Sequence, residues 1–121
     1  MTVNLEALAE AISNELRASV NELRLAGLAA QSSINVAADG RLTVDFEIHD
    51  THHGTYGFSL ALQDANDTSS LEGLIRDQQG KIVQDLGQAS FANVADGLAA
   101  AREMITAAIT EVSDRFRRRA G

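Results

Sequence analysis

The sequence contains neither cysteine nor proline. Without cysteine the chain has no disulfide, no zinc–thiolate site, no iron–sulfur cluster and no thiol nucleophile. Small secreted domains usually depend on disulfides, so the same absence argues against that class. Whole groups of enzymes and of cross-linked scaffolds are thereby excluded.

Basic residues are also scarce, because 10 Lys and Arg stand against 17 Asp and Glu, a net charge of −7. An acidic chain repels phosphate backbones, and four phenylalanines with one tyrosine are too few to stack bases. No apolar run approaches the roughly 20 residues that a membrane-spanning helix needs. We therefore expect no direct nucleic-acid binding and no membrane partner.

The remaining composition is that of a globular protein, with 45% hydrophobic and 22% charged residues among 121. This length predicts a single domain over residues 1–121. The first residues carry Glu6 and Glu10 and have neither the basic nor the apolar region of a secretory signal. We expect a cytoplasmic protein.

Two long amphipathic helices are predicted, one over residues 4 to about 29 and one over 92–118. Asn4 or Thr2 can cap the first. Their apolar residues recur at steps of three and four. These residues are Leu5, Leu8, Ile12, Leu16, Val20 and Leu23 in the first helix, and Val94, Leu98, Ala101, Ile105, Ala108 and Val112 in the second.

Between the helices, alternating apolar residues predict an antiparallel meander of three strands, the third over roughly 55–62. A three-residue loop at Ala38-Asp39-Gly40 pairs Val36 with Leu42 and keeps apolar side chains on one face. Pairing Phe46 with Phe58 does the same for the next hairpin and leaves Thr51-His52-His53 at its tip.

The segment after the meander is harder to assign. Residues 63–70 are predicted to be a polar loop. Residues 71–91 fit either a second hairpin that turns at Gln78-Gln79-Gly80 or a short helix closed by Gly80, and the hairpin is favoured. The predicted fold is an α+β two-layer sandwich, with three strands, or five with this hairpin, packed against the two terminal helices.

Helices of about 26 residues reach ~39 Å, whereas a strand of eight residues reaches only ~27 Å. The apolar stripes are therefore expected to extend beyond a three-stranded sheet. Such an overhang predicts that the chain forms a homo-oligomer.

Two clusters carry side chains capable of chemistry. Asp45, Glu47 and His49 alternate along one strand and share the polar sheet face, where they could serve as acid and base. His49, His52 and His53, with Asp50, form a cluster of metal-ligand types in which neighbouring histidines of a hairpin could supply two zinc ligands, but their spacing matches no established metal motif. We expect no catalytic residues, no cofactor and no metal site.

The end of the second helix is basic, with arginines at 115, 117, 118 and 119. Cations at a helix carboxyl terminus complement the helix dipole. The alternative is an electrostatic contact with an acidic partner or neighbouring subunit.

These observations favour a non-enzymatic module for protein–protein interaction or assembly, with an acidic surface and another, unidentified protein as its partner. A second hypothesis is an acidic inhibitor that occupies the basic, nucleic-acid-binding site of a target protein. The third is a small metal-dependent hydrolase that uses His49, Asp45 and Glu47.

The predicted pair of Phe46 and Phe58 at the centre of the sheet allows the first testable prediction. If Phe46 is buried between the sheet and the helices, Phe46→Ala should lower the free energy of unfolding by roughly 3–5 kcal/mol. Urea unfolding followed by circular dichroism measures this value, and a loss below about 1 kcal/mol would contradict the predicted burial.

Overall fold

The structure is a computed structural model that describes residues 3–36, 41–65 and 68–120. The described residues form two helices and five strands, and the seven elements follow one another as a helix, five consecutive strands and a helix. They are α1 Leu5–Leu25, β1 Ala29–Val36, β2 Leu42–Asp50, β3 Gly54–Ala65, β4 Thr68–Arg76, β5 Ile82–Phe91 and α2 Val94–Ala120.

The five strands form one open antiparallel sheet in which each strand pairs with its neighbours in the sequence. The predicted registers of the first two hairpins are confirmed, since Val36 lies opposite Leu42 and Phe46 lies opposite Phe58. The predicted turn at 38–40 lies outside the described residues. The tip at 51–53 is as predicted.

The sheet is larger than the predicted three strands. The prediction of a polar loop over 63–70 is wrong, because residues 63–65 continue β3 and residues 68–70 begin β4. Ser69 and Ser70 are buried there, and the Ser69 hydroxyl donates a hydrogen bond to Asp64 on the paired strand. Strand pairing and this bond satisfy polar groups that the sequence alone assigned to solvent.

Residues 71–91 form the hairpin that the sequence favoured, with its turn between β4 and β5. Its turn is held by the Asp77 side chain, whose Oδ1 accepts hydrogen bonds of 3.0 Å from the backbone N–H groups of both Gln79 and Lys81. Gly80 has a φ of 85°, which side chains disfavour, so glycine suits this turn.

Both helices have side-chain caps at their amino ends. Asn4 Oδ1 accepts a hydrogen bond of 3.1 Å from the N–H of Ala7, and Asn93 Oδ1 accepts one of 2.8 Å from the N–H of Asp96. The first helix ends at Leu25 instead of near 29, since Gly27 adopts a φ of 86° and turns the chain into β1.

The helices lie side by side on one face of the sheet, with α1 over β1 and β2 and α2 over β4 and β5. They run parallel, because Leu8 meets Gly97 near the start of both helices and Glu15 accepts a hydrogen bond of 2.5 Å from Arg102 further along. The exposed Arg102–Glu15 pair raises the pKa of the Arg102 guanidinium.

The apolar stripes of both helices are buried within the chain. Their buried members are Leu8, Ala9, Ile12, Leu16 and Leu23 on α1, and Ala101, Met104, Ile105, Ala108, Val112 and Phe116 on α2. The expected overhang is therefore corrected: strands of up to 12 residues reach ~41 Å and match the helices in length. The reason given for self-association no longer holds, although self-association itself stays a prediction.

Across the described ranges, neither helix combines the length and the apolar character required to cross a lipid bilayer.

Gly97 provides a test of the close packing between the helices and the sheet. A Cβ at this position would lie 2.9 Å from Leu8 Cδ2 and 2.9 Å from Phe91 Cδ2, and both neighbours are buried. We expect Gly97→Ala to destabilise the protein by about 1–3 kcal/mol. The clash of the added Cβ should cost more than the ~1 kcal/mol by which alanine stabilises a helix relative to glycine. Urea unfolding measures the difference.

The matched control is Gly57→Ala on the open sheet face, where no atom lies within 4 Å of the added Cβ. This variant should unfold at the same urea concentration as the unmodified protein, or slightly higher. Equal stability of the two variants would contradict the close approach at Gly97.

Candidate functional site

The face of the sheet opposite the helices is open and polar. Asp45 lies near its centre and accepts hydrogen bonds from three side chains on β1, β2 and β3. Its Oδ2 accepts from Asn35 Nδ2 at 2.6 Å and from the Thr43 hydroxyl at 3.3 Å, while its Oδ1 accepts from Ser59 Oγ at 2.7 Å. Asp45 thus ties three neighbouring strands together.

The other two candidates on β2 make separate contacts. Gln31 Nε2 donates a hydrogen bond of 3.1 Å to Glu47 Oε2, and His49 Nδ1 lies 2.8 Å from the hydroxyl of Thr55. The structure therefore places Asp45, Glu47 and His49 on one face, as predicted, but each bonds to a neighbouring strand and not to another of the three. An acid and a base that share a proton require direct contact or one bridging water.

The hairpin tip packs against the end of α2. Asp50 Oδ1 accepts a hydrogen bond of 2.8 Å from the His52 N–H, and His53 Nδ1 lies 3.1 Å from the same oxygen. The rings of His53 and Phe116 have their centroids 6.5 Å apart. The two contacts of Asp50 order the tip itself, the His53–Phe116 contact packs it against α2, and a shallow, mostly apolar pocket of about 340 Å³ opens beside Phe116.

No group of three or more His, Cys, Asp or Glu side chains converges into a metal-binding arrangement among residues 3–36, 41–65 and 68–120. Within these ranges the histidines at 49, 52 and 53 act as hydrogen-bonding residues of the β2–β3 hairpin.

Three arginines at the end of α2 contact acids of the same helix. Arg115 Nε lies 2.9 Å from Glu111 Oε1, Arg118 lies 3.4 Å from the same oxygen, and Arg117 pairs with Asp114. Arg115 also donates to the carbonyl oxygen of Val83 on β5. The described part of the basic tail is therefore a helix end whose charges are largely matched within the chain.

The residues that sequence reasoning missed lie at the edge of the sheet. β1 forms one edge, and its Ile34 and Val36 are 41% and 68% exposed, although both were expected to pack in the core. α1 covers the β1–β2 pair but leaves these two side chains exposed at its border. The available signal was that residues 25–38 contain no charged side chain.

The opposite edge differs from β1. β5 has two register shifts in its pairing with β4, between Gly73 and Leu74 and between Ile75 and Arg76. It also carries the exposed charge of Asp85. Bulges and charges are the devices by which proteins prevent an edge strand from pairing with another chain, and β1 has neither.

The chain matched no protein-family model, no curated protein sequence and no solved structure.

Asp50 allows a test of the hairpin tip. The hydrogen bond from the His52 N–H lowers the pKa of the Asp50 carboxyl below its usual 3.8, opposed by partial burial and assisted by His53. Because the folded pKa lies below the unfolded one, the carboxylate stabilises the fold above pH 3.8, and this effect is lost as the pH falls through the folded pKa.

We expect Asp50→Asn to unfold at a lower urea concentration than the unmodified protein at pH 7, with the gap narrowing as the pH falls below 3.8. Glu103→Gln, at an exposed position of α2, is the control and should show a smaller gap at pH 7. A gap for Asp50→Asn that does not change with pH would contradict the assigned role of its charge.

Proposed function

We propose that this chain is a non-enzymatic protein-interaction module that binds an extended segment of a protein at β1, where the segment adds a strand to the sheet. The observation that carries the proposal is the β1 edge, which is uncharged, regularly paired and exposed in its apolar residues.

The first support for this proposal is the backbone of β1 as an edge strand. β1 is paired on one side, with β2, so among the described residues the N–H and C=O groups along its other side have no strand partner. Its register with β2 runs without a shift from Ala29 opposite His49 to Val36 opposite Leu42. Eight regular residues present the flat row of donors and acceptors that strand addition uses.

The second support is the apolar side chains of β1. Ile34 and Val36 project on the helix side of the sheet, where their opposite residues Val44 and Leu42 are buried or partly buried. An added strand with apolar residues at alternate positions would cover both. The proposed ligand is thus an extended segment with apolar residues at a period of two and few charges where it meets β1.

The other two predicted functions draw no support from the arrangement of the described residues. The open face of the sheet mixes Asp45, Glu47 and Glu72 with Arg41 and Arg76, so it is not a purely acidic surface of the kind that competes for a nucleic-acid site. The hydrolase requires convergence of His49, Asp45 and Glu47, but Glu47 bonds to β1, His49 bonds to β3 and Asp45 bonds to both of these strands.

The proposal can be tested by selecting random peptides on the immobilised protein from a display library. We expect the selected peptides to share apolar residues at alternate positions and to lose binding to a Val36→Lys variant, because a buried lysine charge opposes strand addition. Fluorescence anisotropy of a labelled selected peptide measures the affinity.

The matched control is Ile82→Lys, since Ile82 is 49% exposed on the other edge strand and the substitution makes the same change in charge. It should keep the affinity of the unmodified protein. Peptides that bind both variants equally well, or a selection without an apolar period of two, would refute binding at β1.

A further inference from the structure

We propose that the segment bound at β1 is β1 of a second copy of this chain, placed by a two-fold axis that passes through the sheet at Ile34. The two sheets then join into one of ten antiparallel strands with all four helices on the same face. This inference rests on the proposed function and names its partner.

The side-chain pattern of β1 is compatible with pairing to itself. Ala30, Ser32, Ile34 and Val36 face the helices, because they lie opposite the core residues of β2. A two-fold axis at Ile34 pairs even-numbered residues of β1 with even-numbered residues of the second copy. Side chains that face the helices in one copy therefore lie beside side chains that face the helices in the other. Ile34 then meets its own copy, and Val36 lies opposite Ser32 of the partner subunit.

Charge limits where two copies can meet. Each chain carries −7, so approach through most of the surface is repulsive. The edge is an exception, because residues 25–38 carry no charge. β1 can therefore approach its own copy without repulsion between like charges along the paired strands.

α1 carries a charge pattern that is complementary to itself. With about 100° between successive residues, four of its five exposed charged residues, Glu6, Glu10, Arg17 and Arg24, fall within about 40° of one another, and the fifth, Glu22, lies on the side of Glu15. The two acids occupy the first half of this stripe and the two arginines the second. In the described part of the chain, none of the four takes part in an ion pair.

This charged stripe lies on the side of α1 that faces away from α2. Glu15, which bonds to Arg102 of α2, is about 160° around the helix from the stripe, and the buried Ile12 and Leu16 face the sheet. The flank opposite Glu15 is the one above the β1 edge. The stripe therefore points toward the proposed two-fold axis.

The geometry of a joined sheet would bring the two stripes together. Strands are about 4.8 Å apart, and α1 lies over the β1–β2 pair, so each α1 would lie about 5 Å from the axis in the plane of the sheet. The two α1 helices would then be about 10 Å apart, which is the separation of packed helices. The axis also makes them antiparallel, with the acidic half of one beside the basic half of the other.

The position of the axis along the helix agrees with this pairing. Ile34 lies five residues, or about 17 Å, from Ala29, the first residue of β1 after the turn from α1. The same distance measured back from Leu25 spans about 11 residues of helix and reaches Asn14. Asn14 lies between Glu10 and Arg17, so each of these faces the opposite charge of the partner subunit.

The decisive experiment exchanges the charges of the stripe. One variant, Glu6→Arg/Glu10→Arg, has a wholly basic stripe, and the other, Arg17→Glu/Arg24→Glu, has a wholly acidic one. Each alone should have a dimer dissociation constant at least about tenfold weaker than the unmodified protein, whereas an equimolar mixture should form a one-to-one heterodimer. Light scattering at low salt gives the masses, and native mass spectrometry identifies the heterodimer.

The control for net charge is Arg117→Glu/Arg118→Glu, which gives the same −11 as the acidic variant and changes exposed residues at the far end of α2. It should dimerise as the unmodified protein does, apart from general repulsion. Val36→Lys should prevent dimerisation, and Ile82→Lys should not.

The outcomes separate this inference from the proposed function. A dimer of the unmodified protein over a hundredfold concentration range, together with the heterodimer of the charge variants, supports it. A monomer at every concentration, or a dimer that tolerates both Val36→Lys and the charge variants, overturns it. In the first of these cases, selected peptides that still require Val36 would leave strand addition at β1 intact, with another protein as the partner.

Discussion

The structure depends on the packing of one apolar sheet face beneath two parallel helices. Phe46 and Phe58 form the central rung of that face, and Leu8, Ile12 and Leu16 cover its β1–β2 side. Because side chains alternate along each strand, fixing this face also places Asp45, Glu47 and His49 on the opposite one. The same packing fixes the rotation of each helix on the sheet. It therefore determines which side of each helix faces away from the other helix, at the edge of the domain.

A sheet that does not close into a barrel has two edge strands, and each can pair with another chain unless it is protected. β5 has two register shifts and an exposed aspartate, and its neighbour α2 sends the Arg115 side chain to its backbone at Val83. β1 has no comparable protection in the residues that the structure describes. The difference between the two edges is the physical reason for assigning function to β1, since the part of the polar face that the structure describes contains a hydrogen-bonded network and no converging reactive groups.

The parts of the fold that follow from alternation could be predicted, and those that depend on the neighbouring element could not. The register of Val36 with Leu42 and of Phe46 with Phe58 came from the requirement that apolar side chains share a face. The strands around Ser69 were missed because a polar residue can be buried when a partner such as Asp64 satisfies its hydroxyl. Ile34 was correctly placed in a strand, but its exposure depends on how far α1 extends over the edge, which periodicity does not specify.

Residue-by-residue amide hydrogen exchange, measured by NMR at low and high protein concentration, tests the role of β1 most directly and requires no substitution. If two copies join at β1, its alternate amides that point away from β2 should become protected as the concentration rises, while the amides of the β5 edge exchange at an unchanged rate. Unchanged exchange along β1, or new protection confined to another element, would contradict the proposal that two copies join at this edge.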